Sequence, residues 1–245
     1  MNRIISLVML LLLTGIVHAT TWKPSEKTDP LTGEKVPAWE IMSYGSYIYK
    51  WPSKYDLVFW PLTDEGYICF NPKNGYGAFN GDFEKISGEE KKTLTKWLSE
   101  NYKPSEAPKS HKEKLAWLEK VYSQRKMDND FWCRFYRLMA YVHRGDHNKS
   151  VEYVKKAIPL LNAKLQTNPE GIAKIEVLFL LGEYHRRTGE LEKAKEYFAQ
   201  VKKAKYKDDN GKEQTGHPYY VGLVQDREQL LEEESSNKAD SGDGK

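Results

Sequence analysis

The spacing of apolar residues changes character three times along the chain. From Ile4 to about Val17 it is unbroken and uncharged, preceded by Arg3 and followed by Val17-His18-Ala19 before Thr20. A short positive start, an apolar run and small residues at its end predict a secretory leader over 1–19 and an exported protein, periplasmic or extracellular. The run is short for a membrane span, which needs about 20 residues, so no stable span is expected after cleavage.

From Trp39 to Phe83 the apolar positions are short clusters among Gly and Pro, at Tyr44 to Tyr49, Leu57 to Trp60 and Tyr67 to Phe70. Such runs predict brief strands joined by turns, a β-unit over 20–87. Its rings, Tyr44, Tyr47, Tyr49, Trp51, Phe59, Trp60, Phe70, Tyr76 and Phe79, bury enough area to act as its core. The same rings would also suit a groove for carbohydrate or peptide.

Beyond Ser87 the period becomes helical. Ser87 with Glu89 and Glu90 marks a helix start ahead of Leu94, Trp97 and Leu98; Pro104 and Pro108 mark a linker; Leu115, Leu118, Val121 and Tyr122 form the next stripe. Asp128 or Asn129 caps a helix through Phe131, Phe135, Leu138, Met139 and Val142, ending at Gly145. A helix from about Asn148 to Leu165 contains Pro159, which predicts a bend, and helices from Gly171 to Arg187 and Leu191 to about Lys205 follow. The fold class is therefore α+β, with a helical domain over 88–230. The tail 231–245 has too little apolar content to fold and is expected to be disordered.

Leu181, Gly182, Gly189, Leu191, Ala194, Tyr197 and Phe198 fall at the offsets of a tetratricopeptide hairpin, with small Gly182 and Ala194 letting two helices approach. Residues 144–153 echo 188–197, which suggests an earlier, degenerate hairpin. Such hairpins present a concave surface, and from helix position alone Tyr184, His185 and Arg187 are candidate contacts for a protein or peptide partner.

Two segments share the pattern x-Pro-x-x-Gly: Asp29-Pro30-Leu31-Thr32-Gly33 and Asn71-Pro72-Lys73-Asn74-Gly75. A pair of CPxCG turns would place four thiolates around a zinc ion. Here the ligand positions are Asp29, Thr32, Asn71 and Asn74, so the turn chemistry persists without the sulfur ligands, and no metal or other cofactor is expected. These twin turns, the segment Tyr76 to Phe79 leading to Asp82-Phe83-Glu84-Lys85-Ile86, and the C-terminal hairpin resemble an uncharacterised bacterial family, a domain of unknown function. The resemblance implies a degenerate zinc-ribbon-like unit followed by tetratricopeptide-like helices, and carries no catalytic activity with it.

The formal net charge of +3 implies no one-sided basic field, which argues against nucleic acid as a partner. Cys69 and Cys133 are the two cysteines, free to form one disulfide or to remain buried thiols. No GxSxG, HExxH, GxGxxG or Walker sequence is present. The reading that results is an exported, non-enzymatic binding or scaffolding protein. The alternative, an enzyme acting on cell-envelope glycan or peptide, requires carboxylates such as Asp56, Asp64, Glu65 or Asp82 to meet beside the aromatic rings.

Overall fold

The computed structural model describes residues 20–44 and 54–242, which divide into two compact units. The expected leader over 1–19 and the stretch 45–53, with Tyr47, Tyr49 and Trp51, lie outside the described residues.

The first unit contains residues 20–44 and 60–121 of the described chain. Strands β1 (Thr20–Thr28) and β2 (Lys35–Tyr44) form an antiparallel hairpin with an irregularity between Thr21 and Trp22. Strands β3 (Ile68–Phe70) and β4 (Gly77–Phe79) form a second, smaller one. Each x-Pro-x-x-Gly segment is the connection of one hairpin. Both final glycines take positive φ, 78° at Gly33 and 79° at Gly75, a region a side chain disfavours. Strand β1 has a polar, Pro-containing sequence with no strand signal of its own; Pro24 is tolerated because β1 pairs on one side only.

The apolar run Leu57 to Trp60, read above as a strand, is not one. Leu57 takes a φ of 49°, and a 3-10 turn begins at Trp60, followed by Pro61, which cannot donate to a ladder. Tyr76 and Phe83 lie at the centre of the unit, fully buried with ring centroids 4.9 Å apart, and the Tyr76 hydroxyl donates to the Phe83 carbonyl at 2.8 Å.

Helices α1 (Gly88–Asn101) and α2 (His111–Tyr122) close this unit, so its boundary falls near residue 121 and not at 87. The reason is specific bonding to the second turn. The Tyr102 hydroxyl donates to the Pro72 carbonyl at 2.6 Å and the Trp117 indole to the Gly75 carbonyl at 2.7 Å. Helix α1 starts at a capping box: the Ser87 side chain accepts from the Glu90 amide, and Glu90 accepts from the Ser87 amide.

The second unit contains 54–59 and 122–242. Helices α3 (Asn129–Val142) and α4 (His147–Gln166) form one hairpin, and α5 (Gly171–Arg187) and α6 (Leu191–Lys203) the next. Asp128 caps α3 by accepting from the Phe131 amide at 2.7 Å, and Asp146 caps α4 by accepting from Lys149 at 3.1 Å. Helix α4 continues through Pro159. A short hairpin, β5 (Lys205–Lys207) and β6 (Glu213–Thr215), leads into α7 (Pro218–Gly242). The tail expected to be disordered from 231 is thus helical to Gly242. Leu231 is still buried in the core with Ile175, Phe179 and Val224, which anchors that stretch of helix.

Within the α5–α6 hairpin, a Cβ on Gly182 would stand 2.5 Å from the Phe198 ring. The two helices approach as closely as they do because that position has no side chain. Gly182→Ala is expected to lower stability by about 1–3 kcal/mol through overpacking, measured by urea unfolding, and Phe198→Leu in the same chain should recover part of the loss.

Candidate functional site

The two hairpin turns of the first unit are built alike. At each of the four positions a side-chain oxygen accepts from the amide two residues on: Leu31 to Asp29 at 2.7 Å, Glu34 to Thr32 at 3.2 Å, Lys73 to Asn71 at 3.0 Å and Tyr76 to Asn74 at 2.9 Å. These bonds preset the turns locally, before any contact between them.

Of the four, the structure brings Asp29, Asn71 and Asn74 together. The Asp29 carboxylate is fully buried, and its Oδ2 accepts from Asn71 Nδ2 at 2.6 Å and Asn74 Nδ2 at 2.8 Å. Both Asn orientations follow from the bonding, because a flipped amide would set oxygen against carboxylate and NH₂ against a backbone N–H. Thr32 remains exposed, bonded within its own turn. A buried carboxylate with its oxygens filled by three donors is satisfied, and the Asn oxygens are already spent on backbone amides. The cluster is a hydrogen-bonded junction between the two turns. Among the described residues no group of three or more His, Cys, Asp or Glu is placed to hold a metal.

Cys69 and Cys133 are both buried and unbridged. Burial pushes the Cys69 thiol up to about 12 and raises Cys133 as well, so neither supplies thiolate near neutrality.

Tyr184, His185 and Arg187, considered above as partner contacts, are turned into the second unit. Helix α5 is covered by α4, α6 and α7, and every residue from Val177 to His185 is buried. The Tyr184 side chain is fully buried with its hydroxyl 3.5 Å from Asp56 Oδ1. His185 stacks on Tyr197 at 5.5 Å, with Nδ1 3.2 Å from Glu190. Hydrogen bonding to Lys193, with help from His185 and Thr188, pulls the Glu190 carboxyl down to about 2. Arg187 donates to Asp56 Oδ1 at 2.6 Å and to the Ser150 hydroxyl. The sequence signal for this burial was the nearly unbroken apolar run Val177 to Leu181, which marks a helix covered on all sides.

Burial holds the Asp56 carboxyl above its usual range despite the opposing pull of Arg187, while Glu183 adds to the rise and Arg137 opposes it. Glu183, itself buried, takes a two-point contact from Arg186 at 2.9 and 3.0 Å, with Arg227 3.3 Å away. Asp56 is therefore an interior charge of the helical unit.

Among the described residues, one concavity lies in the first unit. It is an open groove of about 680 Å³ walled by Trp22, Pro37 and Trp39 of the β1–β2 hairpin, by Phe70 and Pro72, and by Pro108 ahead of α2. Asp64, Glu65 and Lys114 supply polar groups. Asp64 Oδ2 accepts from the Trp22 indole at 3.1 Å and its Oδ1 from the Gly66 amide at 2.8 Å, while Lys114 pairs with Glu65. Of the carboxylates required for catalysis, Asp64 and Glu65 reach the groove; Asp82 lies in the turn after β4 and Asp56 in the helical unit. Both groove carboxylates have partners within the unit. Trp39 is 45% exposed, unusual for so large an apolar side chain.

A family model described as "Uncharacterized protein conserved in bacteria (DUF2225)" matches residues 53–215. No curated protein and no solved structure matches the chain.

Two outcomes are expected of these geometries. Asp29→Ala, which strands three donors, should destabilise the first unit by about 3 kcal/mol, whereas cysteine at all four positions (D29C, T32C, N71C, N74C) should produce a chelator-sensitive zinc site, read by metal analysis. In the native wild-type protein neither thiol should react with a disulfide reagent at pH 7, and both should react in denaturant.

Proposed function

We propose a binding role for this chain, which belongs to the DUF2225 family of uncharacterised bacterial proteins: it is an exported, non-enzymatic binding or scaffolding protein that engages an extended peptide segment of a protein partner. The observation that carries this reading is the aromatic and proline-walled groove of the first unit, with exposed Trp39 on its wall. Flat rings and proline edges suit an extended, proline- or aromatic-bearing segment, whose main chain loses little entropy on docking. A sugar would need free donors and acceptors, and here Asp64 is spent on Trp22 and Gly66 and Glu65 on Lys114. That leaves apolar contact as the groove's main source of affinity. The leader-like segment ahead of Thr20 supports a role outside the cytoplasm. No helix among the described residues is long and apolar enough to cross a membrane.

Tyr184, His185 and Arg187 are engaged inside the helical unit, so the groove is taken as the contact surface in their place. The family model spans the second turn and helices α1 to α6.

The test is an array of extended ten-residue peptides, proline-rich and aromatic-rich, screened against the full chain by tryptophan fluorescence. Saturable binding by a subset is expected, with Trp39→Ala weakening it by tenfold or more, about 1.4 kcal/mol or above. If no peptide binds, or Trp39→Ala leaves binding unchanged, the groove is not the site. Turnover of cell-envelope glycan or peptide fragments, lost in Asp64→Asn, would establish the enzymatic alternative instead.

A further inference from the structure

Residues Lys54 to Phe59 carry neither helix nor strand, yet helices of the second unit grip them group by group. From α3, Arg137 donates through Nε to the Asp56 carbonyl at 3.2 Å and through Nη2 to the Leu57 carbonyl at 2.6 Å. From α5, Arg187 takes the Asp56 carboxylate at 2.6 Å, with the Tyr184 hydroxyl at 3.5 Å. From α4, the Ser150 hydroxyl accepts from that same Arg187 and donates to the Ala140 carbonyl, which fixes the guanidinium. From α7, Asp226 accepts from the Tyr55 hydroxyl at 2.9 Å and from Lys54 at 3.0 Å, and the Arg227 guanidinium lies 3.1 Å from the centre of the Tyr55 ring.

These contacts read the segment as a receptor reads a peptide. Two main-chain carbonyls are held whatever the side chains, a carboxylate is matched to a fixed arginine, and a phenol is recognised at both its ring and its hydroxyl. Val58 is buried here and Tyr55 and Leu57 pack against the core, and beside these apolar contacts Arg137 and Arg187 are committed to a stretch of irregular backbone. The segment also fits at a cost. Leu57 is held at a φ of 49°, where a bulky residue is strained, and Asp56 is buried with its charge. What keeps it in place is tethering, because attachment to the same chain supplies an effective concentration on the order of millimolar.

We propose that the helical unit is a peptide-reading module, that Lys54–Phe59 is its resident ligand, and that a partner segment carrying an aromatic residue followed by an aspartate, in the same turned conformation, displaces it. This site is separate from the groove of the first unit, and its specificity differs: an acidic, aromatic pair in place of an apolar surface.

The experiment uses the full chain and a labelled synthetic peptide with the sequence Lys54 to Trp60, followed by fluorescence anisotropy. A chain carrying Tyr55→Ala and Asp56→Ala, whose own segment no longer competes, should bind the peptide saturably, at least tenfold tighter than wild type does. Adding Arg187→Ala to that chain, or replacing the aspartate of the peptide by alanine, should weaken binding tenfold or more. The single variant Asp56→Asn, which keeps the shape and an acceptor for Arg187, repeats the test if the double variant does not fold, with intermediate affinity expected. A folded double or single variant that takes up no peptide overturns the proposal. Binding indifferent to the peptide aspartate and to Arg187 overturns it equally, and leaves Lys54–Phe59 as a fixed strut of the helical unit.

Discussion

Two tight turns, far apart in sequence, are joined through one carboxylate, and the first unit is arranged around that junction. Asp29 accepts from the side chains of Asn71 and Asn74 while its other oxygen accepts from its own turn. The contact fixes the β1–β2 hairpin against the β3–β4 hairpin at the point where each chain reverses. Strands of three residues, such as β3 and β4, are too short to stand alone in water, so register in this unit depends on what its turns hold. The second turn is held from its other side as well, by Tyr102 and Trp117. A ring of Tyr102 packs directly over Gly75, so that glycine serves both the left-handed backbone and the close approach of a helix. The groove walls, Trp22, Trp39 and Phe70, stand on the strands thus fixed.

Much of this was legible in the sequence wherever the determinant is local. The helix starts at Ser87 and Asp128 each lie three residues from the amide they accept from, and the paired x-Pro-x-x-Gly turns are as local, with side chains that bond amides two residues on. The packing of Gly182 against Phe198 was legible too, because the spacing of one helical hairpin encodes it. The α+β class follows from the change of apolar period near Ser87.

What escaped the sequence depends on distant partners. Nothing in Lys54 to Phe59 announces that its carbonyls will be taken by Arg137 or its aspartate by Arg187, so an apolar run that looks like a strand becomes irregular chain. The direction of Tyr184, His185 and Arg187 depends on how many neighbours cover α5, which period alone does not give. Strand β1 has no apolar alternation and exists because β2 pairs with it. The domain boundary moved for the same reason: α1 and α2 read as members of a helical series but are bound to a β turn.

The junction at Asp29 also bears on how the molecule comes to be folded. A thiolate knuckle needs zinc to be delivered in the right amount, and a disulfide needs an oxidant and often an isomerase to correct it. Here the cross-tie between the turns consists of side-chain amides and a carboxylate, and the two thiols are buried apart from any bridge. Every component of the first unit's junction is carried by the polypeptide itself. That cross-tie therefore forms as the two chain reversals meet, and it calls on neither of the two thiols.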